Sequence, residues 1–338
     1  YEIQYCDWSS DVCSSDLSGT YETFEMNQEI INKAAGADIR IKKILVNDIS
    51  KPRAVDIPKN LLTTEPKDIL DDPEIDIVVE MLGGSEPALT YILNAMEKGK
   101  HVVTSNKLVV AQNFSILSEA ASKHDVQFKM EGCVGGGIPI LNSITSVLGV
   151  NKFEEILGIL NGTTNYILTQ MTNFGLDFES VLRDAQSKGF AEANYQDDID
   201  GIDTANKLSI LIALAFGKHI HPKNIKTEGI ANISKEDIKN AKDNGRRIKL
   251  IANAVMMDGK LECSVRPMDL PNHHPLADVD NEFNAVFVRG NAVDELMFYG
   301  KGAGPMPTGS AVAGDILEIA KILSTRSEER RVGKECRS

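Results

Sequence analysis

The chain has 338 residues, enough for two domains with separate cores, because a typical domain takes about 100–200 residues. Its composition, 42% hydrophobic and 25% charged, is typical of globular proteins and excludes a fibrous or disordered chain. A formal net charge of −13, with scattered lysine and arginine, argues against binding to nucleic acid or to an anionic membrane. The sequence shows neither an apolar run of the roughly 18–20 residues that a membrane span needs nor a secretion signal, so we expect a cytoplasmic protein.

Both ends of the chain differ in pattern from their neighbours. Residues 1–18 and 325–338 resemble translated adapter sequence, and we expect them to be foreign to the fold; disordered native tails are the alternative. Three of the five cysteines and the single tryptophan lie in these stretches. The two remaining cysteines, Cys133 and Cys263, are far apart in sequence, which suits a reducing compartment.

Helical and strand patterns alternate in the first half. We predict helices at 21–35, 87–98 and 108–124, and strands at 39–47, 75–82, 101–105 and 126–130. Single helices between successive strands imply right-handed crossovers onto a parallel sheet. The pattern therefore predicts an α/β fold, with a doubly wound Rossmann-type nucleotide-binding domain at 19–138 and ligands beyond the carboxyl ends of its strands.

The start of this domain lacks an expected feature. A dinucleotide-binding domain normally opens with a strand, a G-x-G-x-x-G turn and a helix that receives the pyrophosphate. Here the helix at 21–35 is preceded only by Ser18-Gly19-Thr20. We therefore expect the first strand and the glycine turn to be missing, and the main phosphate-binding site with them.

The second half follows a different pattern. We predict helices at 139–148, 165–172, 178–188 and 203–217, and strands at 154–161, 249–257 and 285–289. This order indicates a mixed α+β domain at 139–304 for substrate binding and dimerisation. A last helix, at 310–323 within the segment 305–324, is expected to return to the nucleotide-binding domain.

The helix at 203–217 carries two charged residues on an otherwise apolar surface. Asp203 and Lys207 lie four residues apart, on one helical face. Spacing alone favours a partly exposed ion pair near the helix start. The functional alternative is a lysine in a cleft that exchanges a proton with a substrate hydroxyl, with the aspartate orienting it.

An acidic run precedes this helix, with Glu192, Asp197, Asp198 and Asp200 close together. A cationic ligand would bind favourably there, although a solvated acidic loop that stabilises the helix start has the same composition. Earlier in the chain, the segment at 161–165 offers small backbone groups, hydroxyls and amides where a substrate carboxylate could lie, or simply caps a helix.

Three further features near the end of the first domain have two interpretations each. The glycines at 135–137 permit close backbone approach, and their carbonyl groups could coordinate a cation together with Glu131, although a flexible interdomain turn looks alike. Lys107 follows a strand at its carboxyl edge, where functional groups are expected, but isolated lysines are usually surface residues. Cys133 could form a thioester as an aldehyde dehydrogenase nucleophile, or be a small apolar side chain.

Five segments resemble homoserine dehydrogenases in order and spacing, over residues 19–324. They are VVTSNK (102–107), EGCVGGGIPI (131–140), LNGTTNYIL (160–168), GFAEANYQDDIDGIDTANKL (189–208) and YGKGAGPMPTGSAVAGDI (299–316). The resemblance implies reversible hydride transfer between NAD(P)H and aspartate 4-semialdehyde, giving L-homoserine for threonine and methionine biosynthesis. It also implies a small amino-acid substrate and a homodimer or homotetramer.

The resemblance also implies roles for individual residues. Lys207 is the general acid and base, Asp203 supports it, and Lys107 lies between nicotinamide and substrate. The remaining assignments are Glu192, Asp198 and Thr163 for the substrate, Ser105, Lys107, Gly189, Gly302 and Gly304 for NADP or NAD, and Glu131 with the backbone of Val134, Gly136 and Ile138 for a structural sodium ion.

Departures from the family pattern keep alternatives open. The glycine turn is absent, Ala193-Asn194-Tyr195 replaces an acidic segment that often contains proline, and Cys133 stands where threonine is frequent. Asp48 suits the ribose of NAD, whereas Lys51 and Arg53 suit the extra phosphate of NADP. A non-catalytic fragment unable to bind cofactor and a Cys133-dependent aldehyde dehydrogenase are the competing hypotheses.

Overall fold

The computed structural model describes the backbone of residues 2–6, 11–190 and 195–335, and the side chains of residues 15–190 and 195–325. Chain packing divides it into two units, a nucleotide unit of residues 1–133 and 304–338 and a second unit of residues 134–303. Within the described residues, no helix combines the length and apolar character that a membrane span requires.

The nucleotide unit contains a six-stranded sheet. Its elements up to residue 129 are β1 Glu2–Cys6, α1 Asp11–Ala35, β2 Arg40–Leu45, β3 Leu62–Thr63, α2 Lys67–Leu70, β4 Ile75–Glu80, α3 Ala88–Glu97, β5 His101–Thr104, α4 Lys107–Lys123 and β6 Phe128–Lys129. The strands are parallel in the order β3-β2-β1-β4-β5-β6. This is the doubly wound order of dinucleotide-binding domains, so the predicted α/β Rossmann-type class is confirmed.

The expectation that the first strand is missing is wrong. Residues 2–6 form β1 at the centre of the sheet, hydrogen-bonded in parallel to both β2 and β4. α1 also begins ten residues before the predicted 21, because the serine- and aspartate-rich stretch before Gly19 contains no proline or glycine to interrupt a helix. The expected absence of the glycine turn stands, since the sequence has no glycine between Cys6 and Gly19.

Leu17 and Ser18 take part in the fold, contrary to the expectation for residues 1–18. Leu17 is fully buried in a core that includes Phe24 of α1 and Ile77 of β4. The packed core therefore begins earlier in the chain than the sequence pattern indicated. A short strand and a polar helix start show little hydrophobic periodicity.

The second unit contains another six-stranded sheet with helices. Its elements are α5 Ile140–Asn142, β7 Phe153–Ile159, α6 Gly162–Phe174, α7 Phe178–Ser187, α8 Gln196–Ile199, α9 Ile202–Phe216, β8 Lys226–Thr227, α10 Lys235–Asp243, β9 Arg246–Met257, β10 Lys260–Pro271, β11 Phe283–Gly290 and β12 Asp294–Lys301. The strand order is β12-β11-β7-β9-β10-β8, antiparallel except for the β10-β8 pair. The predicted mixed α+β architecture is confirmed.

The last helix, α11, covers Pro305–Glu335 and belongs to the nucleotide unit. It is longer at both ends than the predicted 310–323. Val312, Ile316 and Ile319 are fully buried and pack in the same core as Leu17. Because these residues recur at three- to four-residue spacing, they form one apolar face that holds α11 against the unit.

Candidate active site

A buried ion pair lies on α9 in the second unit. Lys207 Nζ is 2.8 Å from Asp203 Oδ2 and donates a second hydrogen bond to the Leu160 carbonyl oxygen at 2.7 Å. Both residues are less than a tenth exposed. The pair is therefore not the partly exposed surface bridge that spacing alone favoured. Two charges removed from water carry a large desolvation penalty, so the pair is weak support for stability and points instead to a specific role.

The residues flanking the pair explain its burial. Gly201 precedes α9 with a φ of 80°, a conformation that strains residues with a side chain, and it allows the chain to turn sharply into the helix. Further along α9, Leu208, Ile210 and Leu211 are fully buried. An apolar surface that extends round the helix keeps α9 in the core, and the charged pair is buried with it.

Asn161 connects the ion pair to a second carboxylate. Its Nδ2 donates to Asp203 Oδ2 at 2.9 Å and to Asp198 Oδ1 at 2.6 Å, while its Oδ1 accepts from the Thr164 N–H and caps α6. One side chain thus fixes the start of α6 and the two aspartates. The capping interpretation of the segment at 161–165 is confirmed, and a substrate carboxylate at this segment stays a prediction.

Asp198 lies in a partly buried position with neutral hydrogen-bond partners. Thr163 Oγ1 lies 3.2 Å from Asp198 Oδ2 and donates to the Phe190 carbonyl at 2.6 Å. Burial, followed by the negative charge of Asp203, raises the pKa of Asp198 above its usual value. Two carboxylates beside one lysine ammonium leave the cluster of Asp198, Asp203 and Lys207 with an excess negative charge, which favours a cationic ligand group.

Two other predicted site residues of the second unit have different outcomes. Glu192 lies outside the described residues, so the structure adds nothing to its assignment. Gly189 follows α7 with a φ of 76°, which explains a glycine at that position without a ligand.

In the nucleotide unit, Ser105 and Lys107 follow the carboxyl end of β5, the edge where this class of sheet binds ligands. Ser105 Oγ donates to Asp16 Oδ2 at 3.4 Å. Burial raises the pKa of Asp16 to about 6, and the positive charge of Lys107 opposes that rise. Asp16 is therefore a further charged residue near this edge, which the sequence did not indicate because it fell in a stretch that we excluded.

The sheet order fits a dinucleotide, but the first turn does not carry the usual phosphate-binding pattern. α1 begins at Asp11 and carries Asp16 in its second turn, and residues 7–18 contain no glycine. A carboxylate repels a pyrophosphate, and side chains limit the close backbone approach that glycines permit. After β2, Asp48 accepts from Ser50 and Arg53 donates to the Asp48 carbonyl oxygen.

Two of the glycines assigned to the cofactor occupy crowded or special backbone positions. A Cβ added to Gly302 would lie 1.9 Å from Asn284 Nδ2, so a side chain cannot be accommodated there without movement. Gly304, in the nucleotide unit, has a φ of 124°, which residues with side chains rarely adopt. Gly302 is therefore required because space is lacking, and Gly304 because of its backbone conformation.

The residues assigned to a sodium site are divided between the units. In the nucleotide unit, Glu131 is buried and its N–H donates to Asp315 Oδ2 at 2.8 Å. In the second unit, Gly136 has a φ of 53° and lies against the backbone of Gly302. Val134 and Ile138 are both buried. Among the residues that the structure describes, no group of three or more histidine, cysteine or acidic side chains is placed to hold a metal ion.

Cys133 does not have the surroundings of a nucleophile. It is 2% exposed, and its Sγ donates to the Thr104 carbonyl oxygen at 3.4 Å. Burial and nearby carboxylates raise the pKa of its thiol well above the usual value. Because the thiolate is the reactive form, the aldehyde dehydrogenase hypothesis is not favoured.

Comparisons with known proteins identify a family for the chain. A family model described as homoserine dehydrogenase matches residues 139–317, and one described as homoserine dehydrogenase, NAD binding domain, matches residues 20–131. A Bacillus subtilis homoserine dehydrogenase is 43% identical over 304 residues, covering 90% of this chain and 70% of the relative. One from Synechocystis is 44% identical over 294 residues, covering 86% and 68%. The solved structure of a homoserine dehydrogenase from Thiobacillus denitrificans matches with a TM-score of 0.90 at 40% identity, covering 96% of this chain and 74% of that one.

Proposed function

Because this chain belongs to the homoserine dehydrogenase family, an oxidoreductase family of amino-acid biosynthesis, we propose that the cluster around Lys207 is its substrate site. The reaction converts L-homoserine and NAD(P)+ to L-aspartate 4-semialdehyde, NAD(P)H and a proton, and runs in both directions. The observation that carries the proposal is the buried ion pair of Lys207 and Asp203, linked through Asn161 to Asp198.

Lys207 exchanges the proton of the substrate oxygen. In the oxidation direction its amine accepts the hydroxyl proton of homoserine, and in the reduction direction its ammonium returns a proton to the semialdehyde oxygen. Asp203 and the Leu160 carbonyl hold Nζ in place and leave its remaining N–H or lone pair for the substrate. Orientation by two fixed acceptors removes freedom that the transition state would otherwise have to restrict.

Asp198 binds the ammonium group of the amino acid. Lys207 neutralises only one of the two carboxylates, so a negative charge is left for the ammonium group. Thr163 and Asn161 orient Asp198. Glu192 is proposed to share this role. A bound nicotinamide cofactor accepts or supplies the hydride, and Ser105, Lys107, Gly189, Gly302 and Gly304 are the proposed cofactor-side residues.

The family pattern also bears on the cofactor, a metal ion and the oligomeric state. NADP and NAD are alternative cofactors, since Asp48 and Arg53 favour different ribose groups. A structural sodium ion at Glu131 and the carbonyls of Val134, Gly136 and Ile138 follows from the family pattern, and so does a dimer or tetramer. Oligomeric state is measured by light scattering of the purified chain.

The activity test uses purified chain with homoserine and either cofactor, followed by cofactor reduction and by recovery of the semialdehyde. We expect turnover that is lost in Asp203→Asn, while Asp243→Asn, an exposed aspartate at the end of α10, retains it. Calorimetric titration with homoserine is measured in parallel. Homoserine binding without turnover in the unaltered chain would favour the non-catalytic fragment, and absence of both would reject the proposed site.

A further inference from the structure

Glu80, the last residue of β4 in the nucleotide unit, has a buried carboxylate that lies outside the proposed catalytic group. Glu80 is 1% exposed and its oxygens accept three hydrogen bonds. The donors are the Leu82 N–H at 2.6 Å, Thr104 Oγ1 at 2.6 Å and Asn106 Nδ2 at 3.3 Å. A buried carboxylate is costly unless it is satisfied in this way, which makes the cluster a specific arrangement rather than a tolerated charge.

Two of these donors lie in the turn that leads from β5 into α4. The Thr104 hydroxyl also accepts from the Asn106 N–H at 2.9 Å. Asn106 Oδ1 accepts from the Val109 N–H at 3.2 Å and caps α4, and its Nδ2 donates to the Gly84 carbonyl at 2.8 Å. Glu80 therefore restrains the orientation of the cap residue from two directions.

The backbone of Glu80 restrains the same turn. Its carbonyl oxygen accepts from the Ser105 N–H at 3.2 Å, and the Lys107 N–H donates to the Ser105 carbonyl at 3.0 Å. Ser105, Asn106 and Lys107 are consecutive, and Lys107 is the first residue of α4. The direction in which Lys107 leaves the helix start thus depends on hydrogen bonds that begin at Glu80.

We propose that Glu80 is a positioning residue for Lys107, acting through Thr104 and the cap residue Asn106. The inference rests on the proposed role of Lys107 beside the cofactor and substrate. Glu80 is not itself a catalytic residue, because its oxygens are engaged by Leu82, Thr104 and Asn106. Its function is to keep the turn at 104–107 in one conformation.

The state of the Glu80 carboxyl controls how strongly it accepts from its donors. Burial raises its pKa to about 7, and the hydrogen bonds from Thr104, Asn106 and Leu82 oppose that rise. Its negative charge also raises the pKa of the buried Cys133 thiol, as do Asp315 and Glu131, while Lys107 lowers it. Ionised Glu80 accepts strongly from all three donors, whereas the protonated acid carries a hydrogen on one oxygen and is a weaker acceptor for the donor at that oxygen. The turn is therefore held above pH 7 and loosened below it.

The closing experiment compares Glu80→Gln with Glu119→Gln, the same chemical change at an exposed position of α4. The amide removes one acceptor while keeping the size of the side chain.

Between the usual pKa of a glutamate and about 7, native Glu80 holds a proton that the unfolded chain releases, so this group's contribution to stability falls as pH rises. Glu80→Gln is consequently expected to unfold at the same or a higher temperature than the unaltered chain at pH 8.

Two measurements at pH 8 test the proposal, and the first does not depend on activity. Amide hydrogen exchange over residues 105–110 is expected to quicken roughly tenfold in Glu80→Gln and to stay unchanged in Glu119→Gln, corresponding to one weakened hydrogen bond. In the unaltered chain the same amides are expected to exchange faster, after correction for intrinsic rates, below pH 7 than above it. Unchanged exchange in Glu80→Gln would overturn the proposal whatever the kinetics show.

The second measurement is a double-mutant cycle with Lys107→Ala. We expect Glu80→Gln to lower kcat/KM roughly tenfold in the unaltered chain and to have no further effect once Lys107 is removed. If Glu80→Gln lowers kcat/KM by the same factor in the Lys107→Ala variant as in the unaltered chain, Glu80 does not act through Lys107. If Lys107→Ala itself keeps full kcat/KM, the proposed role of Lys107 fails and this inference fails with it, while the assignment of Lys207 is unaffected.

Discussion

Gly309 of α11 lies directly against Gly19 of α1 in the nucleotide unit. A Cβ added to Gly309 would lie 2.5 Å from the carbonyl carbon and oxygen of Gly19, closer than any real Cβ contact. A Cβ added to Gly19 would likewise lie 2.0 Å from the Pro305 carbonyl oxygen. The two helices therefore cross with their backbones in contact, and the crossing brings α11 onto the core that contains Leu17.

Substitution at this crossing is expected to separate the helices. Gly309→Ala should lower the free energy of unfolding by about 2–3 kcal/mol, since the backbone of Gly19 cannot move away as a flexible side chain would. Gly314→Ala on the same helix is the control, because a Cβ there meets nothing within 4 Å and the position is exposed. It should raise stability by about 0.5–1 kcal/mol. Chemical denaturation measures both, and equal effects at the two positions would contradict the close crossing.

A buried lysine in the second unit has a structural role that can be measured. Lys249 is 2% exposed and donates to the Val279 carbonyl at 2.6 Å, with Asn165 Oδ1 at 3.1 Å and Asp280 Oδ1 at 3.3 Å. Lys249→Met removes the described donor of Asn165 Oδ1 and should cost about 2 kcal/mol, while the Val279 carbonyl still accepts from Asn165 Nδ2 and Asp280 still pairs with Arg247. The exposed Lys239→Met should cost little, and similar losses in the two variants would refute the network.

The pH dependence of the same residue gives an independent check. Burial lowers the pKa of Lys249 to about 8, although Asp280 opposes the shift. Between about 8 and the usual pKa near 10.5 the unfolded chain binds more protons than the native one, so this group makes stability rise with pH. Denaturation across this range should show the rise in the unaltered chain and a smaller one in Lys249→Met. Parallel curves would contradict the lowered pKa.

The proposed ammonium site predicts a specific effect of Asp198. Asp198→Asn should raise KM for homoserine about 10- to 100-fold, the loss expected for one hydrogen bond to a charged group. In the unaltered chain KM should increase as pH falls through the raised pKa of Asp198, because protonation removes the charge that binds the substrate. Asp197→Asn, its exposed neighbour, is the matched control. If 4-hydroxybutyrate, which lacks the ammonium, loses as much from Asp198→Asn as homoserine does, Asp198 has another role.

The buried thiol of Cys133 is expected to be unreactive in the native chain. Its exclusion from solvent and raised pKa predict that iodoacetamide at pH 7 leaves Cys133 unmodified in the native chain and modifies it completely after unfolding, as read by mass spectrometry of the peptide that contains Cys133; the half-buried Cys263 is read separately. Cys133→Ala should retain turnover, because the thiol contributes a single described hydrogen bond, to the Thr104 carbonyl, and the backbone bond to Met130 does not depend on the side chain. Rapid native-state alkylation with loss of activity would revive the aldehyde dehydrogenase hypothesis.

Regular patterns made much of the fold predictable. The strand predicted at 75–82 is observed as Ile75–Glu80, and the helix predicted at 108–124 as Lys107–Lys123. The segment Glu2–Cys6 was missed because it lies in the stretch that we expected to be foreign to the fold, and its pairing with β2 and β4 is set by tertiary structure. α10 was missed although Ser234 and Asp237 form a capping box, a signal that the sequence does contain.

The sequence allowed us to predict which residues belong to the candidate site, but not how those residues contact one another. The spacing of Asp203 and Lys207 gave their shared helical face, yet their burial depends on how α9 packs. The bridging role of Asn161 could not be inferred, because Asp198 and Asp203 are 37 and 42 residues away in sequence. Glu80 likewise ends a buried strand without a local sign that it supports Lys107.

The central claim, that Lys207 transfers the proton, is tested most directly by kcat for homoserine oxidation in Lys207→Arg. Arginine keeps the charge beside Asp203 but does not release a proton at neutral pH. We expect kcat to fall at least about 100-fold, within the usual range for a lost general acid or base, while the unfolding temperature falls by only a few degrees because the larger guanidinium must fit a buried position. Lys218→Arg, an exposed lysine just beyond α9, should keep full activity. A kcat within twofold of the unaltered chain in Lys207→Arg would contradict the assignment.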